Sequence, residues 1–295
     1  MRKHSKFFFM VCSLFLSQNA AARMRVEAPA SVKQGGVIKV VIKGEDYAYK
    51  LKFGDVSVEI LPDKLALISV AVDEVPGYRN VCVEGHEYGI CSPIEIEKVD
   101  FPIAGDIGFV SELTGKLKIR FDAEKDELKK LFALNTLKRY WKEDLKFSPP
   151  LKDMAWTSPF GQIRHKISTK KGKLDIYHYG VDLHADVRTH VFAAESGIVR
   201  IAKNMLAEGN MVAIDHGYGL VSLYFHLSKL KVKEGSFMPA GQEIALSGQS
   251  GAATGPHLHF EVRLRGVAVS PWNFMPEPLI YKPPAQVAKQ QRGAK

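Results

Sequence analysis

The clearest alternation of polar and apolar residues lies near the C-terminal end of the chain, at 257–264, where the sequence reads HLHFEVRL. A period of two predicts a β-strand with one apolar and one polar face. His257 and His259 then point in the same direction, with their Cα atoms about 6.6 Å apart. They can bind one metal ion together, or one can bind the metal while the other faces a substrate.

A second alternating run, LVSLYFHL at 220–227, predicts another strand. The alternation predicts an apolar face opposite a polar face, the latter made of Ser222, Tyr224 and His226. His226 is therefore a third candidate histidine, although a single histidine at a strand end is most often a surface residue.

Further candidate ligands lie in HYGVD at 178–182. In a straight strand the Cα atoms of His178 and Asp182 would be about 13 Å apart, which is too far to share an ion. A bend is needed, and Gly180 is the residue most able to supply it. Histidine and carboxylate are typical Zn²⁺ ligands, and three protein ligands with one open position are typical of a catalytic zinc site.

The N-terminal part follows a different pattern. Residues 24 to about 100 contain short strand-like runs separated by glycine- and proline-containing turns, which predicts a small β-sandwich. Apolar residues at spacings of three and four predict an amphipathic helix over 122–145, with Asp122 as its N-cap. Cys82 and Cys91 are expected to form a disulfide in an oxidising compartment, with free buried thiols as the alternative.

Residues 1–22 combine a basic start, an apolar run and a small-residue end, which is the layout of a cleavable secretory signal. The apolar run is too short to span a bilayer as a stable helix. Cys12 lies inside that run and follows Val11 instead of a small residue, which argues against a lipoprotein. An uncleaved membrane anchor is the alternative to cleavage.

Loss of this segment removes three of the 41 basic residues and none of the 32 acidic ones, so the formal net charge falls from +9 to +6. Nucleic-acid binding is not expected, because basic residues are not clustered with aromatic ones. An anionic polymer such as a cell wall, or an anionic membrane surface, is the more natural partner of an exported basic protein.

Three motifs follow one another along the chain: HxxxD at 178–182, YxHLS at 224–228 and GPHLHFE at 255–261. Together with PFG at 159–161, Arg164 and DHG at 215–217, they resemble the LytM/lysostaphin family of zinc endopeptidases over roughly residues 155–275. The sequence departs from the usual family pattern at Arg188 and His190, where a glycine and a proline are common.

The resemblance implies a mainly β protein whose C-terminal part is an antiparallel β-sheet zinc peptidase domain of the LytM type. The expected order is a signal peptide at 1–22, an Ig-like β-sandwich at 23–100, a helical connector at 101–150, the peptidase domain at 151–278 and a disordered basic tail at 279–295.

The resemblance also implies that His178, Asp182 and His259 hold one zinc ion, which leaves a fourth position for water. His226 and His257 would then act on that water and on the oxyanion of the reaction. The strand pattern alone does not decide which of His257 and His259 binds the metal. The residues His165, His184, His190, Asp215 and His216 are candidates for hydrogen bonds to a ligand imidazole.

The implied substrate is the peptide cross-link of bacterial peptidoglycan, in the periplasm or cell envelope. One alternative is a catalytically silent cell-wall scaffold that activates another hydrolase, and another is a zinc protease that acts on ordinary proteins. The presence of all three implied ligands and both accessory histidines favours an enzyme. The sandwich and connector that precede the peptidase domain are expected to target it, to space it or to inhibit it.

Overall fold

The computed structural model describes residues 24–44, 50–85, 88–110, 113–168 and 172–282. The predicted signal segment, His86 and the tail beyond residue 282 lie outside these ranges. Within them the chain is mainly β, as the sequence predicts. No described helix is long and apolar enough to cross a membrane.

The N-terminal part is a small sandwich of two sheets, as the short strands predict. Its eight strands are β1 (Arg25–Glu27), β2 (Ser31–Lys33), β3 (Val37–Lys43), β4 (Lys50–Phe53), β5 (Val56–Val58), β6 (Leu65–Ser69), β7 (Gly77–Glu84) and β8 (Gly89–Glu97). They form sheets with the orders β1-β3-β6 and β2-β8-β7-β4-β5. Alternate residues such as Ile38, Leu51, Val81 and Ile94 fill the core between the sheets. The immunoglobulin-like character of this sandwich stays a prediction.

A disulfide joins the last two strands of the sandwich. Cys82 and Cys91 are direct partners in the register between β7 and β8, and their sulfur atoms are bonded.

The connector adds one strand and one helix to the C-terminal part. These are β9 (Ile103–Val110) and α1 (Gly115–Phe132). Strand β9 pairs in parallel with a strand of the C-terminal part, so this section of the connector is built into the structure that follows it.

The C-terminal part is built around one eight-stranded sheet. The whole C-terminal part contains the strands β10 (Trp156–Ser158), β11 (Ile163–Ser168), β12 (Gly172–Tyr177), β13 (Gly180–Leu183), β14 (His190–Phe192), β15 (Gly197–Met205), β16 (Gly209–Gly217), β17 (Leu220–Leu227), β18 (Lys229–Leu230), β19 (Phe237–Met238), β20 (Glu243–Leu246), β21 (Leu258–Leu264) and β22 (Val267–Val269), followed by a 3-10 turn at Pro271–Asn273. The large sheet has the order β10-β13-β21-β17-β16-β15-β19, with β22 on β21. Two smaller sheets have the orders β12-β11-β9 and β14-β20-β18.

The alternation at the C-terminal end produces the strand that it predicts. In β21 the apolar residues Leu258, Phe260, Val262 and Leu264 are fully buried in the main core. The polar residues His259 and Glu261 face the other side of the sheet, where they are also largely buried.

The predicted polar face of β17 is wrong. Ser222 and Tyr224 are completely buried, because their side chains point into the main core, where Tyr224 packs. The opposite face, with Val221 and Leu223, is covered by α1 through Leu131. Both faces of this central strand are therefore buried.

Helix α1 begins and ends earlier than the apolar spacing predicts. It covers Gly115–Phe132 with Thr114 as N-cap, so the predicted helix at 122–145 is correct only up to residue 132, and Asp122 is not its cap. Residues beyond the helix make backbone hydrogen bonds to the β16–β17 turn: Tyr140 N–H donates to His216 O, and Thr136 O accepts from Tyr218 N–H. Tertiary pairing has replaced helical pairing there.

The sandwich and the C-terminal part share one hydrophobic core. Leu61, Leu65 and Leu67 of the sandwich belong to the same buried cluster as Trp141 and Phe147 of the connector and the apolar residues of the large sheet. Each fully buried side chain of this size contributes about 1.5–3 kcal/mol. Docking of the sandwich is thus part of the stability of the whole chain.

Candidate active site

Three side chains meet where β13 and β21 lie side by side. The Nε2 atom of His178 is 3.0 Å from Asp182 Oδ1 and 3.0 Å from His259 Nδ1. His259 Nδ1 is in turn 2.9 Å from Asp182 Oδ1. All three residues are buried, so the structure brings together the three ligands that the sequence resemblance implies.

Strand register explains part of this meeting. Asp182 and His259 are direct partners in the antiparallel pair β13–β21, which places their side chains on one face at short range. His178 lies before β13, in the two-residue link from β12. The chain turns there, so the 13 Å of a straight strand does not apply.

Gly180 also allows the His259 ring to approach the backbone of β13 closely. A Cβ atom at this position would lie 2.6 Å from His259 Nε2 and 2.6 Å from Phe260 O, which is closer than side-chain carbon atoms come to such groups. The absence of a side chain lets the His259 ring lie close to the backbone of β13.

The three donor atoms fit one metal ion. Two imidazole nitrogens and one carboxylate oxygen are common Zn²⁺ ligands, with bonds of about 2.0–2.2 Å. A tetrahedral site with such bonds has donors about 3.3 Å apart, close to the observed separations. Three protein donors leave one coordination position for water or substrate, which is the arrangement of a catalytic site.

Two of the three candidate ligands, His178 and Asp182, are oriented by a second contact. His178 Nδ1–H donates a hydrogen bond to Pro159 O at 2.9 Å. Because a carbonyl can only accept, the proton of the neutral ring is on Nδ1, and the lone pair of Nε2 faces Asp182 Oδ1 and His259 Nδ1. Arg164 Nη2 donates to Asp182 Oδ2 at 2.8 Å, which leaves Oδ1 for the metal. Such outer contacts fix the direction of a ligand's lone pair.

Burial and charge act against each other in this cluster. Burial would raise the pKa of Asp182, but the imidazoles of His178 and His259 outweigh it and hold the pKa well below its usual range. Burial lowers the pKa of His178. Burial acts in the same direction on His259, yet its hydrogen bonds to Asp182 and Glu261 raise its pKa to about 9.

His226 and His257 lie beside the cluster, with ring centroids 4.8 Å apart. His226 comes there because its φ is 61°, a left-handed conformation that ends the alternation of β17 and turns its ring away from the face of Ser222 and Tyr224. The rings of His226 and His259 are 6.2 Å apart. His257 Nε2 is 3.6 Å from Asp182 Oδ1.

Both accessory imidazoles are held by backbone carbonyls. His226 Nδ1–H donates to Ser250 O at 2.9 Å, and His257 Nδ1–H donates to Gly255 O at 2.9 Å. In the neutral ring each Nε2 then keeps a free lone pair. Burial, together with the neighbouring rings of His257 and His259, lowers the pKa of His226 to about 4, so this ring is neutral at pH 7 and is able to accept a proton.

The other histidines and the acid near the motifs do not orient the ligands. His165 pairs with Asp175, and His190 pairs with Glu243. Asp215 accepts hydrogen bonds from Arg200, while His216 lies in the core between Ser196 and Ser222. The backbone N–H of His184 donates to Ala155 O.

Arg164 and the Pro159 carbonyl orient two of the candidate ligands, a role that the strand patterns did not predict. Arg164 and PFG at 159–161 belong to the residues of the family resemblance, and this was the available signal for them. At Arg188, where the family usually has glycine, the chain keeps a φ of 75°, the conformation that glycine adopts most easily.

A metal-donor cluster on a mainly antiparallel sheet, with two further histidines beside it, is the arrangement of a metal-dependent enzyme. Residues 176–271 match the family Peptidase family M23. Residues 176–271 therefore form an M23 metalloendopeptidase region of the LytM type.

Two curated relatives have names that describe endopeptidases. The chain is 42% identical over 93 residues to the peptidoglycan DD-endopeptidase ShyA of Vibrio cholerae, an alignment that covers 32% of this chain and 22% of that protein. It is 37% identical over 122 residues to the DD-carboxypeptidase/endopeptidase Mpg of Neisseria meningitidis, which covers 41% of this chain and 27% of that protein. The chain thus spans only about a quarter of the length of these relatives.

A solved structure of wider coverage shares the fold. It is described as an M23 peptidase from Pseudomonas aeruginosa, has 23% sequence identity and a TM-score of 0.60, and covers 82% of this chain and 93% of that one. This coverage extends well beyond the family match at 176–271, so the fold likeness includes a large share of the N-terminal residues.

Proposed function

We propose that this protein is an exported zinc-dependent endopeptidase that hydrolyses peptide cross-links of bacterial peptidoglycan. The observation that carries the proposal is the cluster of His178, Asp182 and His259, with the free Nε2 atoms of His226 and His257 next to it. The name of the ShyA relative, a peptidoglycan DD-endopeptidase, supports the choice of peptidoglycan as substrate, and the name of the Mpg relative supports endopeptidase activity.

The proposed roles follow from the contacts of each residue. His178, Asp182 and His259 would hold the zinc ion, which when bound supplies a Lewis acid for the scissile carbonyl and lowers the pKa of water. His226 accepts a proton from the attacking water, because it is neutral at pH 7 and its lone pair is free. His257, held by Gly255 O through Nδ1–H, would stabilise the developing oxyanion in its imidazolium form, by one hydrogen bond from Nε2–H.

The proposed location is the periplasm or another part of the cell envelope. The signal-like segment at 1–22 and the net positive charge of the remaining chain support this location. Stem peptides or cross-bridges are the proposed partners, without nucleic acid and without stable membrane insertion after cleavage of the signal.

Inhibition of the site by the N-terminal sandwich stays a hypothesis. The sandwich contacts the far end of β21, where Arg265 Nη1 donates to Leu67 O at 2.7 Å, and it contacts the turn at Asn273, whose Nδ2 donates to Gly35 O at 3.1 Å. These contacts favour a role in stability over one in blocking the candidate active site.

The decisive experiment is a digest of purified muropeptides by the mature full-length chain, followed by mass spectrometry of the products. Cleavage of a D-Ala to diamino acid bond or of a glycine bridge is expected, together with about one zinc ion per chain. A chelator should abolish cleavage, and added zinc should restore it. A protein with bound zinc that cuts casein but no muropeptide would indicate an ordinary protease.

Variants of the three motif histidines separate ligands from catalysts in the same assay. His259→Ala should lose both zinc and activity. His226→Ala and His257→Ala should keep zinc while turnover falls by about 10²–10⁴-fold, the range for general acid–base help. Zinc loss in His257→Ala with retention in His259→Ala would reverse the assignment, and full activity without zinc would contradict the proposal.

A further inference from the structure

Strand β21 continues from His259 into a buried ion pair on the same face. Glu261 is only 4% exposed. Its Oε2 atom lies 3.4 Å from His259 Nε2, and its Oε1 atom accepts a hydrogen bond from Arg263 Nε. A buried carboxylate is costly unless it is paired, and these two contacts supply partners for both oxygens of Glu261.

Glu261 contacts Nε2 of His259, whereas Nδ1 of the same ring faces His178 and Asp182. For Nδ1 to offer its lone pair beside His178 and Asp182, the proton of the neutral ring must sit on Nε2. The Glu261 carboxylate can only accept, so it stabilises this tautomer and this ring orientation. Gly180 is the direct partner of Glu261 in the β13–β21 register, and its missing side chain leaves the room for this contact.

Arg263 is itself held from two sides. Its Nη1 donates to Gly266 O at 2.8 Å, and its guanidinium carbon lies 4.1 Å from the centroid of the Phe132 ring. The Tyr179 ring is 5.3 Å away. A guanidinium over an aromatic ring at this range is a favourable cation–π contact.

Phe132 is the last residue of α1, and the helix is anchored by Leu131, which is buried against Met205 and Leu223 of the large sheet. An unbroken series of contacts therefore runs from the connector helix through Arg263 and Glu261 to His259. The family match at 176–271 does not include the helix.

We propose that Glu261 is a positioning residue of the metal site, that Arg263 fixes Glu261, and that Phe132 at the end of α1 fixes Arg263. The inference rests on the proposed zinc site of His178, Asp182 and His259. It assigns to the connector helix a role in metal affinity as well as in packing.

The test is the zinc dissociation constant of the mature full-length chain, measured by competition with a chromogenic chelator. Glu261→Ala should weaken zinc binding by about 10–100-fold, the usual effect of removing the hydrogen-bond partner of a ligand histidine. Glu261→Gln should lose less, because its amide oxygen can still accept from Nε2–H. Phe132→Ala should weaken binding by about twofold to fivefold, the range of a partly exposed cation–π contact.

Two matched controls separate positioning from general destabilisation. Glu243→Ala removes a carboxylate that pairs with Lys231 and His190 away from the site. Leu128→Ala removes an apolar side chain of α1 that packs against the same cluster as Leu131. Both controls should keep the zinc affinity of the natural protein.

A spectroscopic readout adds a test that a purely structural role would not affect. In the Co²⁺-substituted protein, Glu261→Ala should shift the visible absorption bands, because the direction of the His259 donor changes, whereas Glu243→Ala should leave them in place. If Glu261→Ala does not fold by circular dichroism, Glu261→Gln and Arg263→Met carry the test, and both should bind zinc more weakly.

Unchanged zinc affinity in the folded Glu261 and Arg263 variants would overturn the inference. An equal loss of affinity in Glu243→Ala or Leu128→Ala would also overturn it, since the effect would then be general. These outcomes leave the proposed function intact if the natural protein binds zinc and cuts muropeptides. A natural protein that binds no zinc would overturn the proposed function and this inference together.

Discussion

Replacing His216 by glutamine is expected to reduce the dependence of folding stability on pH by about 2 kcal/mol between about pH 7.5 and pH 5. His216 is completely buried. Its Nδ1–H donates to Ser196 O at 2.8 Å, and its Nε2 lies 2.8 Å from Ser222 Oγ. Because Ser196 O only accepts, the neutral ring carries its proton on Nδ1 and accepts at Nε2 from the Ser222 hydroxyl.

The hydrogen bonds continue from Ser222 in one direction. The Ser222 and Tyr224 hydroxyls are 3.1 Å apart, and Tyr224 accepts from Ala194 N–H at 2.7 Å. Since Ser222 donates to His216, Tyr224 must donate to Ser222. A second proton on His216 would place a donor against the Ser222 hydroxyl and force this series to reverse inside the core.

The magnitude follows from the pKa of His216, which burial lowers to about 4. In the unfolded chain a histidine has a pKa of about 6.5, so the unfolded state binds more protons between these values. The stabilisation from neutral His216 is complete above about pH 6.5 and is lost as the pH falls towards 4, for a total of about 3.4 kcal/mol. About 2 kcal/mol of this is lost by pH 5.

The assay is urea unfolding of the natural protein and of His216→Gln at pH 7.5 and pH 5, both with excess chelator so that zinc binding does not contribute. The variant should be less stable at pH 7.5, because buried hydrogen bonds are lost, and the two proteins should approach each other at pH 5. His190→Gln, at an exposed position, is the control and should keep the natural pH dependence. Equal pH dependence of His216→Gln and the natural protein would refute the reasoning.

Two further predictions concern steric and covalent features. Gly180→Ala should cost about 1–3 kcal/mol of stability and weaken zinc binding, because its Cβ would lie 2.6 Å from His259 Nε2. In the control Gly89→Ala, the new Cβ meets nothing closer than 3.4 Å, so zinc affinity should be kept. Calorimetry measures the stability and chelator competition the zinc affinity, and natural zinc affinity in Gly180→Ala would contradict the steric argument. Cys82 and Cys91 should react with an alkylating agent only after reduction, and Cys82→Ser should cost about 2–3 kcal/mol; free thiols before reduction would contradict the disulfide.

Local pattern was sufficient where strand alternation runs without interruption. The period of two at 257–264 predicted the buried face of β21 and placed His257 and His259 on one side, because each side chain of a regular strand follows the pleat. The same rule failed in β17, because the hydroxyl groups of Ser222 and Tyr224 form a hydrogen bond with each other inside the core, so these polar residues can be buried there. The left-handed φ of His226 is not encoded by any alternation.

Contacts between distant segments account for the remaining differences. The end of α1 at residue 132 is set by pairing of the following chain with the β16–β17 turn, which no helical spacing reveals. The backbone carbonyl of Pro159 orients His178, and any residue has a carbonyl, so the sequence contains no signal for it. Glu261 had such a signal, since it shares a strand face with His259 two residues away.

Residues outside the region of the family match support the proposed metal site. Phe160 follows Pro159, whose carbonyl orients His178. The Phe160 ring packs so closely on Gly35 of the sandwich that a Cβ atom at Gly35 would lie 2.3 Å from the ring. On the other side, Phe132 of the connector reaches His259 through Arg263 and Glu261. Removal of the N-terminal half would therefore disturb two of the three ligands and open the shared core. For this reason an activity change after truncation would not by itself indicate inhibition, and single substitutions at these contacts are the appropriate means to examine regulation.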